Sequence, residues 1–256
     1  MSYSYAEMEK ILMDALRLNH HPVAVTWLFT DEEIEEFRTK HACVTPIKPI
    51  TFCQWELTAR TQDKTVLATK EQLDCTNAKV TFGFKENDDK VFNAHLKFCA
   101  DLAQAEHFQL SKPRLPLDTL KGIGAGPLGK AAMPPHVIHF YCDSLQSYHL
   151  AVDYMAATHT HPLRPLITMN SAACGGSVFA WQEKTFNCSP PCPGSYNAGR
   201  TERGEVNVFI PGEHIEAVVK RLVYRIEKTG SGFFTRPAEP FPGSDICKSC
   251  THIKKE

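Results

Sequence analysis

Three cysteines fall within nineteen residues in the second half of the chain. Cys174 is followed by two glycines, and Cys188 and Cys192 lie among prolines. These prolines exclude a continuous helix over residues 190–193, because proline lacks the amide hydrogen and clashes with the preceding turn. An irregular, thiol-rich loop of this kind is typical of proteins that bind a soft metal ion or an iron–sulfur cluster.

Four further cysteines complete the set of candidate metal ligands. One pair lies in the N-terminal third of the chain, and the other lies near its end with two residues between the thiols, a spacing common in metal sites and redox motifs. The predicted metal ligands are Cys53, Cys75, Cys174, Cys188, Cys192, Cys247 and Cys250. Seven thiols exceed the four of a single site, so either some are not ligands or the bound cluster is larger than one cubane.

Residues beside the thiols are candidates for binding and tuning a cluster. Gly175, Gly176 and Gly194 are placed to present backbone N–H groups to cluster sulfurs, which raises the reduction potential. Arg200 and Lys184 lie close in sequence and are candidates for offsetting the negative charge of a thiolate cluster. Ordinary surface charge is an equally good interpretation of both.

The composition is that of an ordinary globular protein. Of its 256 residues, 43% are apolar and 22% are charged, and the net charge is -1, so we predict binding neither to nucleic acid nor to a membrane surface. The first residues do not resemble a secretory signal, and no uncharged apolar stretch approaches about eighteen residues. Ten cysteines in a cytoplasmic protein are expected to be reduced, which favours metal binding or redox chemistry over a disulfide framework.

Hydrophobic periodicity predicts a mixed α/β fold. Residues 1–230 are predicted to form one domain, and residues 231–256 a tail that carries Cys247 and Cys250. Residues 80–84 are interpreted as a strand or a loop. The predicted helices span residues 5–18, 31–39, 53–60, 90–109, 144–157 and 215–226, and the predicted strands span 23–28, 136–141 and 205–211.

Two parts of the chain resemble each other in organisation. Segments 5–110 and 130–230 each contain a strand and a helix that precede two cysteines, which suggests a diverged internal repeat. The cysteines are Cys53 and Cys75 in the first segment and Cys174 and Cys188 in the second.

Residues 122–129 contain four glycines, a composition that invites comparison with a phosphate-binding loop. Such a loop needs a strand before it and a helix N-terminus after it. Pro127 lies inside this segment and Pro134 and Pro135 follow, so we predict a flexible connection or a loop packed against a cofactor.

Four short stretches together resemble a known family, the uncharacterised ArCR proteins of archaea and anaerobic bacteria, over residues 5–228. The stretches are Cys53-Gln54-Trp55 with Cys75 downstream, residues 137–146 with the helix after them, residues 171–174, and Gly199-Arg200 leading to residues 205–211. The resemblance implies a mixed α/β fold and cysteines at positions 53, 75, 174 and 188, but no activity. Cys192 and the Cys247/Cys250 pair depart from the family pattern, which leaves open a larger or a second metal site.

From these patterns we predict a cytoplasmic iron–sulfur protein with a redox or electron-transfer role in an anaerobic metabolism and a redox partner protein. If it is an enzyme, it is of the oxidoreductase type. Two alternatives stay open: a structural zinc protein, and a metal-free protein that binds a small molecule or a partner and has reduced cysteines in its core. A nucleophilic role for Cys174 is less favoured, because no local motif pairs it with a base.

Overall fold

A computed structural model describes residues 2–229 of the chain, so the whole predicted tail, with Cys247 and Cys250, lies outside the described residues. The described part is a mixed α+β fold in which helices cover both faces of a single seven-stranded sheet. This confirms the predicted fold class. The strands are β1 (Val23–Leu28), β2 (Cys43–Val44), β3 (Thr65–Thr69), β4 (Gly122–Pro127), β5 (Val137–Cys142), β6 (Asn187–Ser189) and β7 (Val206–Pro211).

Several helices begin at capping boxes, in which a side chain before the helix and one in its first turn satisfy backbone N–H groups reciprocally. Thr30, Thr51 and Asp143 are such capping residues. The helices are α1 (Tyr5–Leu16), α2 (Asp31–Lys40), α3 (Phe52–Gln62), α4 (Thr76–Thr81), α5 (Asp89–Asn93), α6 (Leu102–Leu110), α7 (Ser144–Thr158), α8 (Ala172–Gln182), α9 (Pro193–Tyr196) and α10 (Ile215–Thr229). None of the helices within residues 2–229 has both the length and the apolar composition needed to cross a bilayer.

The strand order is symmetric about the β1–β5 pair except for β2, which adds a parallel strand at one edge. It runs β2-β3-β4-β1-β5-β7-β6, and β1 and β5 pair antiparallel in the middle. Outward from this pair, β4 and β3 follow on one side and β7 and β6 on the other, always antiparallel. A duplicated unit would produce such an arrangement, and the duplication itself stays a prediction.

Two separate cores lie on the two faces of the sheet. The first, which we call the α3/α8 face, packs Trp27 and Phe209 against α3, α4 and α8. The second, the α1/α10 face, packs Ile138 and Phe140 against α1, α7 and α10. Because successive strand residues point to opposite faces, Val137 belongs to the first core while its neighbour Ile138 belongs to the second.

The glycine-rich segment is a buried strand, so the prediction of a flexible connection there was wrong. Residues 122–127 form β4, which pairs with both β1 and β3. The glycines serve packing across the sheet, since a Cβ added at Gly124 would overlap the ring of Phe37 and one at Gly126 would meet the side chain of Thr65. Glycine in a strand often marks such a close approach.

We expect Gly124→Ala to lower the free energy of unfolding by about 1–3 kcal/mol, the usual cost of overpacking a well-filled core. Gly175→Ala is the matched control, because its new Cβ meets only the Cβ of Ser171, at 3.5 Å, and alanine favours a helix. Urea unfolding of both variants, without metal, measures the difference. Equal stability of the two variants would contradict the packing role of Gly124.

The helix predicted over residues 90–109 is two helices, α5 and α6, separated by a turn of 3₁₀ helix. Asp88 and Asp101 each cap a new helix, because their carboxylates accept from the backbone N–H three residues later. Hydrophobic spacing continues across the break, which is why periodicity alone predicts one helix. Residues 80–84, predicted as strand or loop, lie at the end of α4 and in the turn after it.

Candidate metal centre

Four cysteines line one cavity of about 100 Å³ on the α3/α8 face of the sheet. That volume is several times the roughly 10–15 Å³ that one water needs. Two of the thiols come from the N-terminal half of the chain and two from the C-terminal half. These four cavity cysteines are Cys53, Cys75, Cys174 and Cys192.

Each of the four cavity cysteines lies at the beginning of a helix. Cys53 and Cys174 are in the first turns of α3 and α8, and Cys75 and Cys192 are the capping residues before α4 and α9. The first N–H groups of a helix lack partners within the helix, and its dipole is positive there. Helix N-termini therefore stabilise negative charge, such as that of thiolates bound to a metal.

Burial opposes the ionisation of Cys174 and Cys53 by raising the pKa of each thiol. Burial raises the pKa of Cys174 to about 12, and the neighbouring Cys75 and Cys192 add to this effect. Burial likewise raises the pKa of Cys53 well above its ordinary value. A protonated buried thiol is a poor nucleophile, which disfavours the nucleophilic interpretation of Cys174, whereas metal binding replaces the proton.

The cysteine sulfurs of the described residues form no tight group of three. Within residues 2–229, no three cysteine sulfurs lie mutually within 4.8 Å. A tetrahedral zinc ion with Zn–S bonds of about 2.3 Å holds its sulfurs only about 3.8 Å apart. An iron–sulfur cluster binds its cysteines at several irons and so spaces them more widely.

A buried lysine with neutral partners lies beside the cavity. Lys112 is 5% exposed, and its Nζ donates to Asn170 Oδ1 at 2.9 Å, Asn77 Oδ1 at 3.3 Å and Ser171 Oγ at 3.4 Å. Burial lowers its pKa to about 8, and the nearby Cys174 opposes that shift. A buried cation needs a compensating negative charge, and none of these three partners supplies one.

Of the two basic residues predicted to offset cluster charge, one lines the cavity. Arg200 does so, and its Nη1 donates to the carbonyl oxygen of Gly194 at 3.1 Å. Lys184 is exposed and lies 3.6 Å from the carboxylate of Glu213, among residues that do not line the cavity. Ordinary surface charge is therefore the interpretation that fits Lys184.

The three predicted cluster-binding glycines differ in what they contact. Gly194 lines the cavity. The N–H of Gly175 donates to the carbonyl oxygen of Ser171 at 2.6 Å, and Gly176 packs so closely against the ring of Phe209 that a Cβ would overlap it. The structure thus gives Gly175 and Gly176 roles in helix geometry and packing instead of in the cavity lining.

The sheet separates Cys188 from the four cavity cysteines. It lies in β6 opposite Val208 and packs into the core of the α1/α10 face. Burial raises the pKa of this thiol, and a hydrogen bond with Ser147 of α7 opposes the shift. The predicted grouping of Cys188 with Cys174 and Cys192 is therefore not how the chain folds, because the alternation along β6 turns Cys188 away.

A buried polar network that the sequence did not reveal begins one turn after Cys53. Glu56 is fully buried; its Oε1 lies 2.6 Å from His139 Nδ1, and its Oε2 accepts from the hydroxyl of Tyr141 at 2.7 Å. His139 Nε2 lies 3.0 Å from Asn207 Oδ1. Burial raises the pKa of Tyr141 well above its ordinary value, and the neighbouring Glu56 raises it further. The local sequence gives one indication of this network, His139 inside an otherwise apolar strand.

The network continues through Arg60 toward the surface. Its guanidinium carbon lies 4.1 Å from the ring centroid of Tyr141, its Nη1 donates to Glu205 Oε1 at 2.6 Å, and its Nη2 donates to the carbonyl of Arg200 at 3.1 Å. Glu205 in turn lies 3.8 Å from His20 Nε2. Charged groups thus connect the surroundings of Cys53 to a partly exposed histidine.

The sequence model of one protein family, described as uncharacterised ArCR, matches residues 11–221. The match includes all four cavity cysteines and Lys112. No curated protein and no solved structure matches the chain.

Proposed function

Because the chain belongs to the uncharacterised ArCR family, whose description names no activity, we propose a function from the site itself: the four cavity cysteines bind an iron–sulfur cluster that transfers electrons. The observation that carries the proposal is the convergence of four thiols from four helix starts on one cavity. Four cysteine ligands are what a cubane cluster takes. Such a cluster supplies one-electron chemistry, and the chain supplies its ligands and surroundings.

The surroundings support an anionic cluster. Thiolate-ligated clusters carry net negative charge, and their potentials depend on nearby charge and hydrogen bonds. The N-termini of α3 and α8 and the buried Lys112 supply positive charge on the cavity side. A metal-free protein would instead bury this lysine among neutral groups. We place the protein in the cytoplasm, where thiols stay reduced, and infer a redox partner protein or an oxidoreductase-type reaction.

Anaerobic purification followed by measurement of iron, acid-labile sulfide and zinc per chain tests the proposal. We expect about four irons and four sulfides per chain with broad absorption around ~400 nm. A result of one zinc and no iron per chain would show that the cysteines bind a structural zinc ion and not a cluster. Absence of metal after anaerobic reconstitution with iron and sulfide, and separately with zinc, would refute both metal assignments and leave the metal-free alternative.

Lys112→Met should lower the reduction potential of the cluster by on the order of 50–100 mV. Removing a nearby positive charge disfavours the more negative reduced state, and one charge at about 8–16 Å and an effective dielectric constant of about 20 contributes roughly 1–2 kcal/mol. The measurement is a potentiometric titration followed by electron paramagnetic resonance. Lys10→Met, an exposed change in α1 on the other face of the sheet, is the control and should leave the potential unchanged.

The same two variants separate an electrostatic role of Lys112 from a structural one. Without metal, removing an uncompensated buried charge should offset part of the cost of the lost hydrogen bonds, so Lys112→Met should lower the free energy of unfolding by less than it does in the cluster-loaded protein. A wild-type potential in Lys112→Met, or an equal loss of stability with and without the cluster, would contradict the electrostatic role.

A further inference from the structure

A second, larger cavity opens beside the candidate metal centre. Its volume is about 780 Å³, within the roughly 300–1,000 Å³ typical of small-molecule sites. Asn77, Asn170 and Gly194 line both this cavity and the one that holds the four cavity cysteines. A molecule bound in the larger cavity would therefore be separated from the metal centre by a wall one residue thick.

The charge of this cavity is positive. Lys85, Lys90 and Lys97 are among its lining residues, and among residues 2–229 no aspartate or glutamate lines it. One of the three lysines is partly neutralised at the rim, since Lys85 Nζ lies 2.5 Å from a carboxylate oxygen of Asp88. The excess of positive charge attracts anions into the cavity.

The shared wall adds hydrogen-bond donors to this charge. The amide oxygens of Asn77 and Asn170 accept from Lys112, so the amide nitrogens are the ends left to face a ligand. Lys112 itself lies directly behind both amides. An anionic group at this wall would thus meet N–H donors that are backed by a buried cation.

Much of the remaining lining is apolar, beside Thr76, His95 and Asn197. Val91, Ala94, Phe98, Met169 and Pro193 contribute to it, and Phe98 and Met169 are 51% and 43% exposed. Apolar walls with a few polar groups at one end are the usual design of a site for a small organic molecule. Inorganic phosphate alone would leave these walls in water.

We propose that this cavity binds a small organic anion, with its carboxylate, sulfonate or phosphate group toward the lysines and the shared amide wall and its apolar body against Phe98 and Met169. The proposal of a binding site depends only on the cavity and its lining residues. Its interpretation as a redox substrate site rests on the proposed function, since only a cluster beside it would exchange electrons with the bound molecule.

The test uses 8-anilino-1-naphthalenesulfonate as the probe and N-phenyl-1-naphthylamine as its neutral counterpart, which has the same rings without the sulfonate. Equilibrium dialysis measures both, because a coloured cluster would quench fluorescence. Changing Lys85, Lys90 and Lys97 together to glutamine should raise the Kd of the sulfonate about tenfold or more, equivalent to 1.4 kcal/mol or more. The Kd of the neutral probe should stay within about twofold.

A matched triple variant controls for the loss of three charges. Lys10→Gln, Lys130→Gln and Lys220→Gln remove three lysines that do not line the cavity, and this protein should bind the sulfonate like the wild type. The single variant Lys90→Gln, at an exposed helix position, should give about a threefold effect if the cavity triple variant does not fold. Equal weakening in both triple variants, wild-type binding in the cavity variants, or equal binding of both probes would overturn the proposal.

Iron and sulfide measured on the same samples keep the two proposals apart. A cluster-loaded protein without a charge-dependent site for the sulfonate would refute the anion site and leave the cluster. A protein without metal that shows this site would leave the anion site and refute its redox interpretation.

Discussion

Cys174→Ser protein, purified without oxygen, is expected to contain less than about a tenth of the wild-type iron and sulfide, whereas Cys188→Ser protein is expected to contain all of it. Loss of a thiolate ligand should weaken metal binding more than the 10–100-fold that changes in the outer shell already cause. Cys188 lies across the sheet from the cavity, so its replacement by serine is a control that removes the same chemical group outside the proposed site. Iron, sulfide and absorption near ~400 nm per chain are the readouts.

The other three cavity cysteines should behave like Cys174. Serine at position 53, 75 or 192 removes a sulfur from the same cavity. Full iron content in the Cys174→Ser protein, or equal loss in the Cys188→Ser protein, would show that the cavity is not the metal centre.

Glu56→Ala should lower the free energy of unfolding by about 3–5 kcal/mol, because it leaves two buried polar partners unpaired. His139 Nδ1 and the Tyr141 hydroxyl both lose their hydrogen-bond partner, and the shortened side chain also leaves a cavity. Chemical denaturation of metal-free protein gives the value without a contribution from metal binding.

Two further variants define the cause of the Glu56 effect. Glu36→Ala removes an exposed carboxylate paired with Lys40 and should cost no more than about 1 kcal/mol. Glu56→Gln keeps an acceptor in place and should recover part of the loss. If Glu56→Ala is no less stable than Glu36→Ala, the buried network does not stabilise the fold.

The elements that the sequence predicts well are those with a complete local signal. The helix at residues 215–226 has continuous apolar spacing, and the strand at 136–141 lies between a proline-rich turn and a helix cap. Strand β4 has no such signal. Its glycines are required by the close approach of Phe37 from α2 and Thr65 from β3. These contacts form only in the folded chain, so the local sequence does not predict the strand.

The candidate site could be predicted only in part for the same reason. Residue type and local density identify Cys174 and Cys192 as candidates, but which face of β6 carries Cys188 depends on the register of β6 against β7. Lys112 has no local signal, because its partners Asn77 and Asn170 lie 35 and 58 positions away. Residue types indicate which chemistry is available, but only the fold shows which of the candidate residues lie together in one site.

The division of the four cavity cysteines between the two halves of the chain has a consequence for biosynthesis. Cys174 follows Cys75 by 99 positions, so at about 5–20 residues per second a ribosome needs roughly 5–20 s to add it. During that interval the nascent chain displays only half of the ligands, and two thiols cannot hold a cubane. If the cavity binds a cubane, cluster insertion would therefore have to wait until Cys192 has been synthesised.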